Sequence, residues 1–176
     1  MVTIQFSETV SFLAKREESD LLAAGFLDDK IIVFKGSTFE KVQTIVTEYE
    51  EITSLSFHDK SDMILASFKN GSSHMWSAPT GKQMASFYGH HEEVTDAQFT
   101  VDSKQVVTIS MDTSLRVWSP KNSEEKLKLT GNKFHQGGII CLKLCDDGKQ
   151  ALTAGVDCTV VLSNIEDGKL TTVLTV

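Results

Sequence analysis

The sequence has 176 residues, 40% of them hydrophobic and 23% charged, which excludes a disordered chain and allows a sizeable core. A net charge of −7 argues against nucleic acid, whose phosphates call for a basic patch, and for neutral or basic protein partners. No apolar run reaches the ~20 residues that span a bilayer, and MVTIQFSETV does not read as a signal peptide.

In chain order, Val2–Phe6 alternates polar and apolar residues as a strand does, and Val10–Ala14 follows in the same style. Leu21–Phe34 (LLAAGFLDDKIIVF) places two β-rich runs about a polar turn, and Val42–Val46 is the next strand. The order repeats with strand Ile52–Phe57, the paired runs Met63–Trp76, and strand Lys82–Phe87. It repeats again as Val94–Phe99, Gln105–Ser110, Leu115–Ser119 and Glu125–Leu129, with turns at TVDSK and Met111–Ser114. A last round runs Ile139–Leu144, the paired runs Ala151–Ser163, and Lys169–Thr175. No stretch carries the 3.6-residue period of a helix.

Aligning the turn residues Asp28, Asn70, Asp112 and Asp157 aligns Phe34, Trp76, Trp118 and Ser163, with steps of 42, 42 and 45. Strands at such a period mark an all-β propeller built from four-stranded blades. The expected organisation is one repeat region, 1–176, with blades at about 7–46, 47–87, 88–129 and 134–176. Val2–Phe6 falls where the outer strand of a preceding blade belongs. Four blades plus one extra N-terminal strand predict an arc of a larger ring, about seven-bladed, with the missing blades supplied by a longer chain or another subunit. Such an arc exposes two apolar blade faces.

The third repeat resembles a WD40 repeat. Gly89-His90 opens it, Val94 follows, Ser110 and Asp112 bracket the turn, and Val117-Trp118 ends the third strand. The resemblance implies a structural hydrogen-bond network of His90, Ser110, Asp112 and Trp118 that fixes the blade. The fourth repeat keeps His135 and Asp157 with Ser163 at the Trp position; the second has Glu48 for His and Asn70 for Asp; the first keeps Asp28, with Phe34 for Trp. His135-Gln-Gly-Gly-Ile, Ala154-Gly-Val-Asp157-Cys158 and the stretch Asn70–Gly81 resemble the angio-associated migratory cell protein branch, which is similar to a chaperone of a ribosomal protein.

The same polar residues invite an enzymatic reading, since His90, Ser110 and Asp112 are the side chains of a hydrolytic triad. No nucleophile elbow or oxyanion segment accompanies them, so they are expected to be structural and no catalytic residue is assigned. His90 and His91, read as adjacent on a strand, are expected to point to opposite faces and not to share a metal. His58 is expected to be solvated and His74 to face outward. Cys141, Cys145 and Cys158 read as reduced, buried apolar side chains of a cytoplasmic protein, with the nucleus as the alternative. No phosphate loop appears, and Gly71, Gly81, Gly148 and Gly168 fall in turns. No cofactor or metal is expected, and no contact with nucleic acid or membrane.

What remains is surface recognition. WD40 rings use the face carrying the loops between blades and the turns between middle strands. By resemblance, the partner-binding candidates are Leu27, Glu51, Thr53, Lys69, Glu93, Thr95, Met111, Ile140 and Val156, with Thr9, Ser11 and Gly138 beside them. Glu48, Glu50, Glu92 and Asp96 would make that rim attractive to a basic segment, such as part of a nascent ribosomal protein. The alternatives are an adaptor or scaffold in ubiquitin ligation or signalling and, less favoured, a hydrolase.

Overall fold

A computed structural model describes residues 5–16 and 18–175. Its sixteen strands form four antiparallel sheets, and there is no helix among the described residues. The first blade holds β1 (Val10–Arg16), β2 (Leu21–Phe26), β3 (Lys30–Lys35) and β4 (Lys41–Val46). The second holds β5 (Ile52–Phe57), β6 (Met63–Phe68), β7 (Ser72–Ser77) and β8 (Gln83–Tyr88). The third holds β9 (Val94–Phe99), β10 (Val106–Ser110), β11 (Leu115–Trp118) and β12 (Glu125–Leu129), and the fourth β13 (Ile139–Leu144), β14 (Gln150–Gly155), β15 (Thr159–Asn164) and β16 (Leu170–Thr175). Strands pair in sequence order within every sheet, as short hairpins dictate. Of the segment Val2–Phe6, residues 2–4 lie outside the described residues. Gln5 and Phe6 belong to no strand, and the Phe6 ring packs edge-on against Phe26 at 5.0 Å.

The turn joining the two middle strands shows why the period is kept. Asn70, Asp112 and Asp157 each accept a backbone N–H two residues on, from Ser72, Ser114 and Thr159 at 3.0, 3.0 and 3.2 Å. The residue after the acid or amide is left-handed in all four blades: Asp29 (φ 57°), Gly71 (83°), Thr113 (66°) and Cys158 (59°). A side-chain acceptor followed by a positive φ reverses the chain in two residues. Gly71 is required for a second reason: a Cβ there would lie 2.8 Å from the His90 carbonyl oxygen.

Period-2 alternation gives each blade two apolar faces. One face of the first blade (Ala23, Ile31, Val33, Ile45) packs on Ile64, Ala66, Phe68 and Trp76 of the second. The second turns Leu65, Met75, Ala85 and Phe87 toward Ala97, Val106 and Trp118 of the third. The third turns Val107, Ile109, Leu115, Val117 and Leu129 toward Leu142, Leu144, Ala151 and Val161 of the fourth. Burying each such large side chain contributes roughly 1.5–3 kcal/mol, so the blades hold one another rather than themselves.

The innermost strands β1, β5, β9 and β13 pack in that order, and no comparable packing joins β13 back to β1 among the described residues. Side chains tie neighbouring inner strands together. Thr53 donates to the Val94 carbonyl and Ser56 to that of Ala97 at 3.3 Å. One blade later Thr95 donates to the Ile139 carbonyl at 2.6 Å and Gln98 to that of Leu142 at 2.9 Å.

Three sequence expectations need correction. His74 does not face outward: it is fully buried, stacked on Tyr49 with ring centroids 3.7 Å apart. Its strand turns that face toward the first blade, where Tyr49 closes over it. His58 is half-buried against Phe99, because the turn folds back onto the next blade. Cys141 and Cys158 are exposed and Cys145 is half-buried. Cys141 lies on the open inner strand and Cys158 at the left-handed turn position, so neither reaches a core.

Candidate functional site

Two polar networks fix the loops of the third and fourth blades. In the third, the Trp118 indole N–H donates to Thr108 Oγ1 at 2.9 Å, and Thr108 Oγ1 meets His90 Nε2 at 2.8 Å. His90 Nδ1 lies 3.0 Å from Asp112 Oδ2, and Ser114 Oγ donates to Asp112 Oδ1 at 2.6 Å. Burial would raise the Asp112 carboxyl pKa, but hydrogen bonds from His90 and Ser114 outweigh it and hold the pKa well below the usual carboxylate range. Burial lowers the His90 pKa, partly offset by Asp112. The imidazole is therefore neutral at pH 7, with its Nδ1–H pointing to a carboxylate and its Nε2 accepting from Thr108. The fourth blade repeats this: His135 Nε2 lies 2.9 Å from Thr153 Oγ1 and Nδ1 3.1 Å from Asp157 Oδ1, with Thr159 in place of Ser114. Ser163, at the Trp position, donates instead to the Ala151 carbonyl at 3.4 Å.

Ser110 is not a member of this network, and Thr108 takes the place expected of it. Trp118 pairs with Val106, so Thr108 is its diagonal neighbour on the same face, whereas Ser110 lies two residues farther and beyond a bulge. Ser110 Oγ donates to the Glu92 carbonyl at 3.1 Å and accepts from the Asp112 N–H at 3.0 Å. The Ser110–His90 contact that a hydrolytic triad needs is thus not made. The missed residues carry a signal: Thr108 and Thr153 both stand four residues before the turn acid, where the first two blades have Ala24 and Ala66.

The structure gathers the candidate partner-binding residues at one end of the blades. Leu27, Lys69, Met111 and Val156 donate their backbone N–H groups to the carbonyls of Thr9, Glu51, Glu93 and Gly138, at 3.2, 3.1, 2.9 and 2.9 Å. A bulge follows in every inner strand, at Ser11, Thr53, Thr95 and Ile140. Bulges re-aim side chains, and these four are re-aimed in phase. Thr53, Thr95 and Ile140 line a cavity of about 350 Å³ together with Phe12, Leu55 and Asp96. The two threonine hydroxyls are occupied in bonds between blades, which makes them positioning groups as well as lining. Burial pushes the Asp96 carboxyl pKa up, although Gln98 and the Ala97 N–H donate to it.

Around this cavity the rim is acidic. Lys69 is ion-paired with Glu51, and Glu93 and Glu50 add to the field that raises its pKa. Glu48 and Glu92 are exposed nearby in sequence. Leu27, Ile140 and Val156 are exposed apolar side chains on the same rim, and Met111 lies half-buried against Gly138. Among the described residues no three His, Cys, Asp or Glu side chains gather as a metal site.

Two family models match the chain: the anaphase-promoting complex subunit 4 WD40 domain over residues 16–102, and the WD domain, G-beta repeat over residues 126–162. They support its place in the WD40-repeat family. Its four sheets are WD40-type blades. No curated protein matches the sequence. Among solved structures, the computationally designed Ika8 protein superposes with a TM-score of 0.82 at 23% identity, over 94% of this chain and 48% of that one. A chain of the mitotic checkpoint complex superposes with a TM-score of 0.86 at 16% identity, over 97% of this chain and 52% of that one. At these identities the likeness is one of fold, and this chain spans about half the length of either structure.

Proposed function

We propose that this WD40 chain is a non-enzymatic protein-interaction platform whose acidic rim takes a basic segment of a protein partner in the cytoplasm. The observation that carries this reading is the clustering of Glu50, Glu51 and Glu93 about the single ammonium of Lys69, which leaves the rim with excess negative charge. Such a field speeds encounter with lysine- and arginine-rich segments, while exposed Leu27, Ile140 and Val156 offer apolar anchors. The short resemblance around His135 makes a newly made ribosomal protein the first partner to try. The test is binding of a lysine- and arginine-rich peptide by calorimetry, with Glu51, Glu92 and Glu93 changed together to Lys. We expect the affinity to fall at least tenfold and to weaken steeply with salt; unchanged affinity would sink the reading.

A second reading, an adaptor within a large assembly, is favoured by the match to the WD40 domain of an anaphase-promoting complex subunit. Affinity capture that recovers such an assembly, with the charge-reversed chain as well as the wild type, would support it over the basic segment.

A further inference from the structure

We infer that the hollow inside the acidic rim is a pocket for one lysine side chain of the bound segment, with the Asp96 carboxylate as the partner of its ammonium; this rests on the rim taking a basic segment at all. The residue after the bulge in each inner strand is Phe12, Ser54, Asp96 and Cys141. All four line the one cavity of about 350 Å³, so the four inner strands converge on it. Leu55, Ile140 and Leu142 join Phe12 as its apolar wall, and Asp96 is the one charged residue in the lining. A volume near the small end of ligand pockets suits a single long side chain.

Two groups in this lining are short of partners. The Asp96 carboxylate is half-buried, and burial pushes its pKa up. Gln98 Nε2 donates to its Oδ2 at 2.9 Å and the Ala97 N–H to its Oδ1 at 2.7 Å, both of them neutral donors. No cation among the described residues offsets the burial. Asp62 and Glu125, by contrast, are paired with Arg16 and Arg116. Ser54 is 7% exposed, and its hydroxyl has no hydrogen-bond partner, although those of Thr53, Ser56 and Thr95 all donate to carbonyls of the next blade. A buried hydroxyl without a partner and a half-buried carboxylate without a counter-charge both cost stability, and a bound ammonium supplies what both lack.

Lysine fits this lining better than arginine. Its ammonium carries three rotatable donors on a flexible apolar stem. The stem would lie along Phe12, Leu55 and Ile140. The donors would go to Asp96 and to the hydroxyl oxygens of Ser54, Thr53 and Thr95, which keep lone pairs to accept them. A guanidinium brings five donors in one rigid plane. The lining offers it a single carboxylate, both oxygens of which already hold a donor, so some of its N–H groups would go unmet.

The test is calorimetry with an acetylated lysine–glycine peptide and an arginine–glycine twin of equal length and charge. The rim attracts both by charge alone, so only the pocket separates them. The expected result is that the lysine peptide binds about tenfold more tightly, the worth of one hydrogen bond to a charged group. Asp96→Asn should abolish the preference by weakening the lysine peptide alone. Ser54→Ala should reduce it at an unchanged urea midpoint, because that hydroxyl has no bond to lose. Equal affinity for the twins, or a preference unchanged by Ser54→Ala or by a folded Asp96→Asn, would overturn the pocket. If changing Glu51, Glu92 and Glu93 to Lys still weakened both peptides, the rim reading would then stand without it. Binding of neither peptide would overturn the rim reading and the pocket together.

Discussion

Thr108→Val separates the network the structure shows from the one the repeat pattern suggests. Valine keeps the shape of threonine, so no cavity forms. The lost hydroxyl leaves the Trp118 indole N–H without an acceptor and His90 Nε2 without a donor. Both side chains are buried, at 3% and 8% exposure. An unsatisfied buried polar group costs about 1–3 kcal/mol, so the expected loss is about 2–5 kcal/mol for the pair. Ser110→Ala removes a hydroxyl that bonds two backbone groups, the Glu92 carbonyl and the Asp112 N–H, and lies outside the His90–Trp118 link, so it should cost about 1 kcal/mol. Thr108→Ser keeps the hydroxyl and should recover most of the loss. The assay is equilibrium unfolding in urea, reading the midpoint at constant slope. A larger loss for Ser110→Ala than for Thr108→Val would refute the assignment of Thr108 as the link.

Two further outcomes follow from the geometry. Burial lowers the His74 pKa to about 4, against an unfolded value near 6.5, so the unfolded chain takes up the proton first. Stability from this residue is full above about pH 6.5 and falls as pH drops toward 4, by about 3 kcal/mol in total. His74→Gln should remove that share of the slope in a pH series of urea midpoints. Backbone strain at the turns gives the second outcome. Gly71→Ala should destabilise by more than about 1 kcal/mol, because its φ of 83° and the close His90 carbonyl both oppose a Cβ, whereas Cys158→Gly at φ 59° should stabilise by about 0.5–1 kcal/mol, both read as shifts in thermal midpoint.

Much of the fold was legible because its signals are local. Alternation in Val94–Phe99 needs only the pleat, and the Asp112-Thr113 turn needs only a side-chain acceptor followed by a left-handed residue. Leu27, Lys69, Met111 and Val156 stand one residue before those turns, which is how the WD40 resemblance placed them. Thr108 was not legible, because His90 and Trp118 select their hydroxyl by cross-strand register, which depends on the bulge before Ser110. Nor was His74, whose burial follows from Tyr49 closing on it from the loop between blades.

The sequence alone therefore determined what each repeat is: four strands, three reversals, and apolar residues on both faces. Only the tertiary structure decided which polar side chains meet, that the hydroxyls of Thr53 and Thr95 bind one inner strand to the next, and that Leu152 and Leu174 stand uncovered while their counterparts in earlier blades are buried. The physical reason is range. A strand and its turn are settled by neighbours a few residues away, whereas a hydrogen-bond partner or a covered face is settled by a blade some 42 residues distant.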